Sequence, residues 1–504
     1  MTPGTVFLVG AGPGDTGLIT VRGKKLVDSA DAIVYDALAN AELLPADAEE
    51  TGFPELYFVG KRGGDARSVS QEQINELLVK LAREGKRVVR LKGGDPLVFG
   101  RGSEEAQALN DAMLPFEIVP GVTAGIAAPA YAGIPVTHRG LATSVTFVTG
   151  HEDPAKASTQ TDWSALAKVG GTIVIYMGVN TFPSIAAALL AAGMPPEMPA
   201  AAIQWGTHGR QHTVTATVAT LADRAAKEGI GAPVVTVIGW CVLLRDEIRW
   251  FENRPLFGRR VVVTRASQQA SILGDKLREL GATVLEMPAM AIERMDAAPL
   301  RAEISRLDNY DWIIFTSQNS VSIFWEQLLA SDKDMRSLGP LKVCAVGTAT
   351  GAALLEKGIA VDLIPKRFVA EGLLEKLAEV VVPGTSFLYV TSEGSREVLA
   401  DGLAALGASV SVVHAYRSSV DGRGATKLKS ALESGSVDVV SFASASAVRG
   451  YVDAVGEELA LRARAVSIGP ITSEAITAAG IELIGEAEES TIEGLVAAIE
   501  RALA

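Results

Sequence analysis

The sequence predicts an α/β protein made of two halves, each containing two lobes. Short apolar runs typical of strands alternate with amphipathic helical segments along the whole chain, as β-α-β architecture requires. A charged segment over 245–254, followed by a turn at 253–258, separates the two halves. The second half also contains an internal repeat. At 504 residues, the chain is long enough for three or four domains of about 100–200 residues each.

The first half, 1–248, is predicted to hold two lobes over about 1–118 and 122–245, and 249–257 is predicted to be a linker. Its first strand, 6–10, leads into a glycine turn and a helix over 18–30. An amphipathic helix is expected over 71–84, because apolar side chains recur there at helical spacing. The other expected strands are 32–35, 87–91, 145–149, 172–177, 200–204 and 234–238.

Two copies of one strand, turn and helix pattern lie in the second half, 258–504. Segment 310–321 (YDWIIFTSQNSV) matches 437–448 (VDVVSFASASAV), and 344–350 (CAVGTAT) matches 466–472 (VSIGPIT). Two similar lobes that face one another would form a cleft between them. The repeat therefore predicts a two-lobed domain without saying what it binds.

Composition excludes several classes of function. A net charge of −13 argues against a broad surface for nucleic acid or anionic membrane, although a local basic cluster can still bind a small polyanion. Cys241 and Cys344 lie in apolar runs and are expected to be buried thiols. The five histidines are scattered, so we expect no metal site. The N-terminus lacks a signal-like segment and no apolar stretch approaches about 18 residues, which predicts a cytoplasmic protein.

The block 88–102 (VVRLKGGDPLVFGRG) is the most informative motif. Gly93 and Gly94 allow the backbone to bend and to approach a ligand closely. Asp95 places a carboxylate at this bend, and Pro96 stiffens its exit. The block therefore predicts a ligand-binding turn at the end of a buried strand.

A second glycine motif, 9–15 (VGAGPGD), follows the first strand. It could be a dinucleotide fingerprint, with Asp31 as the acidic partner. Asp15 stands where a small residue is needed, however, and Pro13 removes a backbone donor. A loop that admits a neutral or cationic ligand is favoured, and a dinucleotide-dependent oxidoreductase remains the alternative.

Polar residues follow two further strands. Asp36 ends the run 32–35, where it can be a helix cap or a catalytic base. Lys61 and Arg62 follow Gly60, where they can be solvated charges or site residues.

Residues 1–245 resemble the uroporphyrinogen-III C-methyltransferases of the tetrapyrrole methylase family. The matching motifs occur in order: 9–15 (VGAGPGD), 34–36 (VYD), 60–62 (GKR), 90–96 (RLKGGDP), 99–102 (FGRG), 119–124 (VPGVTA), 128–139 (APAYAGIPVTHR) and 176–178 (YMG). The resemblance implies a two-lobed fold, S-adenosylmethionine bound in the cleft, and a homodimer formed through this half.

The resemblance also implies roles for individual residues. Asp36 would be the general base and Lys61 the proton donor. The S-adenosylmethionine site would be lined by Pro13, Gly93, Gly94, Asp95, Val98, Thr123, Ala124, Met177 and Gly206. The substrate carries eight carboxylates, and the candidate partners for them are Arg62, Arg90, Arg101 and Arg139.

Residues 258–504 resemble uroporphyrinogen-III synthase. The supporting motifs are 263–265 (VTR), 315–317 (FTS), 346–350 (VGTAT), 413–417 (VHAYR), 442–444 (FAS) and 468–469 (IG). The resemblance implies one lobe over about 258–288 plus 417–504 and another over about 290–413. Tyr416 would assist departure of hydroxide. The residues that could hold substrate carboxylates are Thr316, Ser317, Thr348, Ser444, Ser446 and Thr472. Each of these can equally be a helix cap.

We therefore expect a bifunctional enzyme of tetrapyrrole biosynthesis. The second half would cyclise hydroxymethylbilane to uroporphyrinogen III. The first half would methylate that product twice to precorrin-2, which leads to sirohaem and cobalamin. A methyltransferase with a non-catalytic ligand-binding second half is the other alternative.

Overall fold

A computed structural model describes residues 3–45, 48, 52–60, 69–150, 161–264, 267–287, 290–365, 370–395, 398–420 and 425–504. The chain divides into two compact units, one of 1–261 with 275–284 and 503–504, the other of 262–274 with 285–502. The described residues form four five-stranded sheets flanked by helices, which confirms the α/β class. None of the helices in the described ranges is long and apolar enough to cross a membrane.

The first sheet is parallel, with helices on both faces. Its elements are β1 (Val6–Gly10), α1 (Val21–Val27), β2 (Ala32–Tyr35), β3 (Glu55–Phe58), α2 (Gln71–Arg83), β4 (Val88–Lys92), α3 (Gly102–Asp111) and β5 (Phe116–Val119). The strand order is β3-β2-β4-β1-β5. Separate apolar clusters cover its two faces, which is why these strands are short apolar runs. Gly10, Asp36 and Lys92 therefore reach the same edge, where the carboxyl ends of parallel strands meet.

The second sheet is mostly antiparallel. Its elements are α4 (Ala124–Tyr131), β6 (Val145–Thr149), α5 (Trp163–Val169), β7 (Thr172–Tyr176), α6 (Phe182–Ala191), β8 (Pro199–Gln204), β9 (His212–Thr217), α7 (Leu221–Lys227), β10 (Val234–Ile238) and α8 (Arg245–Ile248). The order is β6-β7-β10-β8-β9, and only β6 and β7 run parallel. The sequence did not predict β9, a Thr-rich strand at the sheet edge that lacks a buried apolar run.

The predicted linker, 249–257, packs against the first unit. Phe251 and Leu256 are buried. The Trp250 Nε1–H donates to the Ala130 carbonyl at 3.0 Å, and Glu252 forms an ion pair with Arg245. The segment is therefore an ordered part of this unit and not a free connector, because its apolar side chains are removed from water.

The third and fourth sheets carry the internal repeat. Their elements are β11 (Arg260–Val263), α9 (Ser267–Glu279), β12 (Thr283–Glu286), β13 (Met290–Arg294), α10 (Ala297–Ser305), β14 (Trp312–Phe315), α11 (Gln318–Leu329), β15 (Lys342–Ala345), α12 (Thr348–Glu356), α13 (Ala370–Leu377), β16 (Ser386–Ser392), α14 (Val398–Ala405), β17 (Ser409–Val420), α15 (Ala425–Glu433), β18 (Val439–Phe442), α16 (Ala445–Val455), α17 (Glu457–Ala460), β19 (Arg464–Ser467), α18 (Pro470–Ala478), β20 (Glu482–Glu486) and α19 (Ile492–Leu503). Short 3-10 helices lie at Thr16–Leu18, Ala41–Leu43, Trp240–Leu244, Leu307–Asn309 and Met335–Leu338.

The third sheet has the order β12-β11-β18-β19-β20, and the fourth has the order β13-β17-β16-β14-β15. The border between the two compact units passes through β11 and β12. The repeated segments place β14 before α11 and β18 before α16, one copy in each sheet. Apolar clusters pack against both sheets, so each copy buries its strand under its own helix. The domain and lobe boundaries given above remain predictions.

Candidate active sites

Three glycine turns meet at the carboxyl edge of the first sheet. Gly12 and Gly94 exchange backbone hydrogen bonds, of 3.2 Å from the Gly12 N–H and 2.7 Å from the Gly94 N–H. A Cβ atom added to Gly121 would lie 2.3 Å from the Gly94 carbonyl oxygen and 2.7 Å from Gly10 Cα. Asp95 joins the turns, because its Oδ2 accepts the Gly121 N–H at 3.0 Å. Only glycine allows these backbones to approach so closely.

Tyr176, at the end of β7, ties the second sheet to this edge. Its hydroxyl lies 2.7 Å from Thr123 Oγ1 and accepts the Gly125 N–H at 2.7 Å. Its ring packs against Phe99, with 5.0 Å between centroids. The next residue, Met177, has a φ of 53° and a side chain that is 53% exposed. Tyr176 thereby places an exposed apolar side chain beside the start of α4.

The structure brings most of the predicted cofactor residues around these turns. Gly94 faces Thr123 and Ala124, since a Cβ atom on Gly94 would lie 3.7 Å from the Ala124 nitrogen. Gly206 packs on Ala128 of α4, where a Cβ atom would meet the Ala128 Cβ at 2.3 Å. The other predicted cofactor residues lie next to residues already described. Pro13 follows Gly12, Val98 precedes Phe99, and Gly93 packs on Leu38.

Asp36 follows β2 and is fixed by three contacts. Its Oδ1 accepts the backbone N–H groups of Leu38 and Ala39, both at 3.1 Å. Its Oδ2 lies 3.4 Å from Arg90 Nη2. The side chain remains 25% exposed, so its carboxylate is available at the sheet edge. The two N–H contacts close the turn that follows β2, where the structure has no helix for Asp36 to cap, and Oδ2 pairs with Arg90 at the sheet edge.

Arg90 has protein partners in the structure, and its predicted pairing with a substrate carboxylate remains a prediction. Arg90 is buried in β4, where its Nε donates to Glu105 Oε1 at 3.0 Å and its Nη1 donates to the carbonyls of Val34 and Leu91. A long cationic side chain on an apolar strand turns inward when a buried carboxylate pairs with it. Arg90 therefore serves Asp36 and Glu105.

Arg101 and Arg139 are exposed, as a substrate-binding role requires. Arg101 immediately precedes α3, with a φ of 58°, and forms a bidentate pair with Glu104, both bonds at 2.8 Å. Arg139 lies in the turn closed by His138 and Ala142. Lys61 and Arg62, predicted as proton donor and carboxylate partner, lie outside the described residues.

The first glycine motif has a structural role at Asp15. Its Oδ2 accepts the Tyr131 hydroxyl proton at 2.7 Å, and its backbone N–H donates to Thr207 Oγ1 at 3.0 Å. Its Oδ1 also accepts the Gly17 N–H at 2.8 Å. A Cβ atom on Gly14 would lie 2.2 Å from His208 Nε2, so this loop is closed by protein groups. The N–H groups of Ala11, Gly12 and Asp15 already donate to protein acceptors, and Pro13 has no N–H, so most of the loop is not available to a dinucleotide pyrophosphate.

In the second unit, Tyr416 of β17 is buried and its hydroxyl lies 2.9 Å from Ser317 Oγ. Ser317 also caps α11, because its Oγ accepts the Ser320 N–H at 3.0 Å. Thr316 Oγ1 lies 3.2 Å from the hydroxyl of Thr391, a fully buried residue at the end of β16. The two residues that follow β14 therefore form two hydroxyl pairs, one with the end of β16 and one with the interior of β17. The sequence did not single out Thr391, because one buried threonine in a strand carries no signal.

The other predicted hydroxyls of this half occupy helix starts. Ser444 caps α16, with its Oγ accepting the Ala447 N–H at 3.2 Å, and lies 2.9 Å from Ser446 Oγ. Thr348 is the first residue of α12, and Thr472 is buried in the first turn of α18. Ser317 and Ser444 are helix caps, as one of the two interpretations expected. Binding of carboxylates at these positions remains a prediction.

Comparisons with known proteins agree with both resemblances. Residues 5–222 match the family Tetrapyrrole (Corrin/Porphyrin) Methylases, and residues 271–497 match Uroporphyrinogen-III synthase HemD. A Ruminiclostridium josui protein named "Porphyrin biosynthesis protein HemD" is 35% identical over 98% of this chain and 97% of its own length. A Bacillus subtilis "Uroporphyrinogen-III C-methyltransferase" is 41% identical over 72% of this chain and 74% of its own.

A Methanosarcina barkeri protein named "S-adenosyl-L-methionine-dependent uroporphyrinogen III methyltransferase" is 50% identical over 48% of this chain and 94% of its own. These matches favour the methylase over the dinucleotide-dependent alternative and confirm the predicted fold of each half. The chain belongs to the family of proteins that join a tetrapyrrole methylase to a uroporphyrinogen-III synthase.

Proposed function

We propose that the chain makes uroporphyrinogen III from hydroxymethylbilane in its second half and methylates it twice in its first half, giving precorrin-2. S-adenosylmethionine is the methyl donor. Asp36 carries this proposal, since its carboxylate stands at the same sheet edge as the Gly94–Asp95 turn. The product would supply the sirohaem and cobalamin branch. A homodimer formed through the methylase half stays a prediction.

The residues around the turn fit the cofactor. At Gly94 the nearest atoms to an added Cβ are 3.7–3.8 Å away, so this glycine leaves a shallow cradle opposite Thr123 and Ala124. Met177 and Phe99 offer exposed apolar surface to a flat base. Asp95 is a carboxylate that can face a cationic centre. When bound, the cofactor supplies an electrophilic methyl group.

Asp36 would act after methyl transfer. The pyrrole carbon forms a bond to the methyl carbon as the carbon–sulfur bond breaks and its electron pair stays on sulfur. The ring is then cationic and must lose a proton, which the Asp36 carboxylate accepts. Holding the pyrrole carbon and the methyl group in line accounts for much of the rate acceleration over the uncatalysed reaction. Arg101 and Arg139 are exposed and can pair with ring carboxylates.

Tyr416 would act in the second half. Its hydroxyl can protonate the departing hydroxyl group of hydroxymethylbilane, which leaves as water as the carbon–oxygen bond breaks and before the ring closes. The proton returns to Tyr416 when the closed ring loses a proton to become aromatic again. Ser317 supports it from the start of α11, because a chain of hydrogen bonds runs from the Ser320 N–H through Ser317 Oγ to the phenol. This direction requires that Ser317 donates its own proton to Tyr416.

Two assays of the intact chain test the proposal. Given hydroxymethylbilane without S-adenosylmethionine, it should release the type III isomer; release of the type I isomer alone would refute the synthase. Asp36→Asn should lower methyl transfer about 100-fold or more, as for loss of a general base, while S-adenosylhomocysteine still binds in calorimetry. Asp28→Asn, at an exposed ion pair with Lys24, is the control. Unchanged turnover of Asp36→Asn would remove it from the mechanism.

A further inference from the structure

Four charged side chains form a cluster behind the methylase site. Arg90 and Lys92 lie two residues apart on β4, so both point to one face of the strand. Both contact Glu105 Oε1 of α3, at 3.0 Å from Arg90 Nε and 2.9 Å from Lys92 Nζ. Arg90 also reaches Asp36, at 3.4 Å. With two carboxylates and two cations, the cluster is neutral when all four groups are ionised.

The four charges interact strongly because three of the side chains are buried. Glu105 is 0% exposed, and Arg90 and Lys92 are each 3% exposed. Glu105 Oε2 has no hydrogen-bond partner among the described residues. Burial, followed by repulsion from Arg90, lowers the pKa of Lys92. Charges in such a site are weakly screened, so loss of one is felt by its neighbours.

We propose that Glu105 is a positioning residue that sets the electrostatic potential at Asp36. Glu105 holds the Arg90 side chain in place beside β4, and its negative charge offsets the positive charge of Lys92. The positive potential at the Asp36 carboxylate is therefore lower than two unpaired cations would produce. Nothing in the family roles assigned above gives Glu105 or Lys92 a part in the reaction. The inference rests on the proposed function of Asp36 as the base.

The charged groups around Asp36 determine in which direction each substitution should change its basicity. In the described part of the chain these are Arg90 and Lys92 of β4, with Glu105 of α3 behind them; its own turn supplies two backbone N–H groups. Glu105→Gln keeps the shape and an oxygen acceptor, but it leaves the cluster with one excess positive charge. Asp36 then holds its proton less readily and becomes a weaker base. Lys92→Met removes a positive charge and has the opposite effect.

The test is the pH profile of kcat for methyl transfer by the intact chain with saturating S-adenosylmethionine and uroporphyrinogen III. The acid limb of kcat reports the base in the bound complex. Glu105→Gln should move this limb about one pH unit lower, and Lys92→Met about one unit higher, as expected for a charge near a carboxylate. The double variant Glu105→Gln with Lys92→Met restores neutrality and should return the limb to its original position. Glu117→Gln, at an exposed pair with Arg22, is the control.

These outcomes separate positioning from a purely structural role. If the single variants only lower the melting temperature and leave the acid limb in place, the proposal for Glu105 is overturned. If Glu105→Gln does not fold, the comparison of Lys92→Met with the double variant still tests both directions of the shift in the acid limb. Lys92→Met should raise the limb, and adding Glu105→Gln should lower it again. If Asp36→Asn transfers methyl groups at the normal rate, Asp36 is not the base, and this part of the proposed function is refuted whatever Glu105 does. If Asp36→Asn has lowered methyl transfer but the pH profiles of the Glu105 and Lys92 variants do not move, only the role of Glu105 is refuted.

Discussion

Gly121→Ala should disable the methylase site through backbone displacement alone. The added Cβ atom would lie 2.3 Å from the Gly94 carbonyl oxygen, whereas Cβ contacts under 3.0 Å essentially never occur, so the turns must separate by at least 0.7 Å. The neighbouring atoms belong to backbone and cannot rotate away. The Gly121 N–H also donates to Asp95, so the displacement reaches the proposed cofactor turn directly.

The expected magnitudes follow from this displacement. Overpacking of a closely packed region costs about 1–3 kcal/mol of folding free energy. A misplacement of about 1 Å in an active site can lower the rate about 100-fold. We therefore expect weaker binding of S-adenosylhomocysteine in calorimetry and a loss of methyl transfer of that order. The synthase activity of the same protein should be unchanged.

Gly231→Ala is the matched control. Among the residues that the structure describes, a Cβ atom there meets only the Gln204 side chain, at 3.8 Å, so the same chemical change is accommodated without displacement. If Gly121→Ala binds S-adenosylhomocysteine and turns over like Gly231→Ala, the convergence of the three turns does not define the site.

Two further predictions concern other parts of the chain. Burial lowers the pKa of His208 to about 4, below its value of about 6.5 in an unfolded chain. Its contribution to stability is therefore complete above about pH 6.5 and is lost as the pH falls toward 4. Urea unfolding of His208→Gln should show a smaller loss of stability between pH 7.5 and pH 5 than the parent, and an identical loss would contradict the assignment. In the synthase half, Ser317→Ala should lower the rate of uroporphyrinogen III formation about threefold to tenfold, the worth of one hydrogen bond, whereas Ser317→Thr keeps both the cap and the donor to Tyr416. Equal rates for the two variants would show that Ser317 does not support the phenol.

The sequence predicted the strand ends well, because glycine turns and strand-terminal polar residues are local signals. The turns at Gly94 and Asp95, together with Asp36, occupy one sheet edge, as expected of parallel strands. The helix predicted over 18–30 is wrong in extent: a 3-10 helix ends at Leu18 and α1 covers only Val21–Val27. Capping by Asp15 and Thr20 breaks this segment into two, which hydrophobic periodicity does not reveal.

The sequence missed contacts that depend on distant partners. Arg90 looked like a free arginine beside a ligand turn, yet Glu105 of α3 draws it into the interior. Tyr176 looked like the end of a strand, but it bonds to Thr123 across the two sheets. In each case the deciding partner lies far along the chain, and its distance in space is set by packing.

The sequence by itself determined the α/β class, the order of the motifs and the family to which each half belongs, because these depend on local patterns of apolar, glycine and polar residues. Tertiary structure alone decided which charged groups are buried, which hydroxyls meet, and which glycines have no room for a side chain. The physical reason is that burial and hydrogen-bond partnership depend on where the chain packs against itself: Arg90 and Glu105 are 15 positions apart, and Thr123 and Tyr176 are 53 apart.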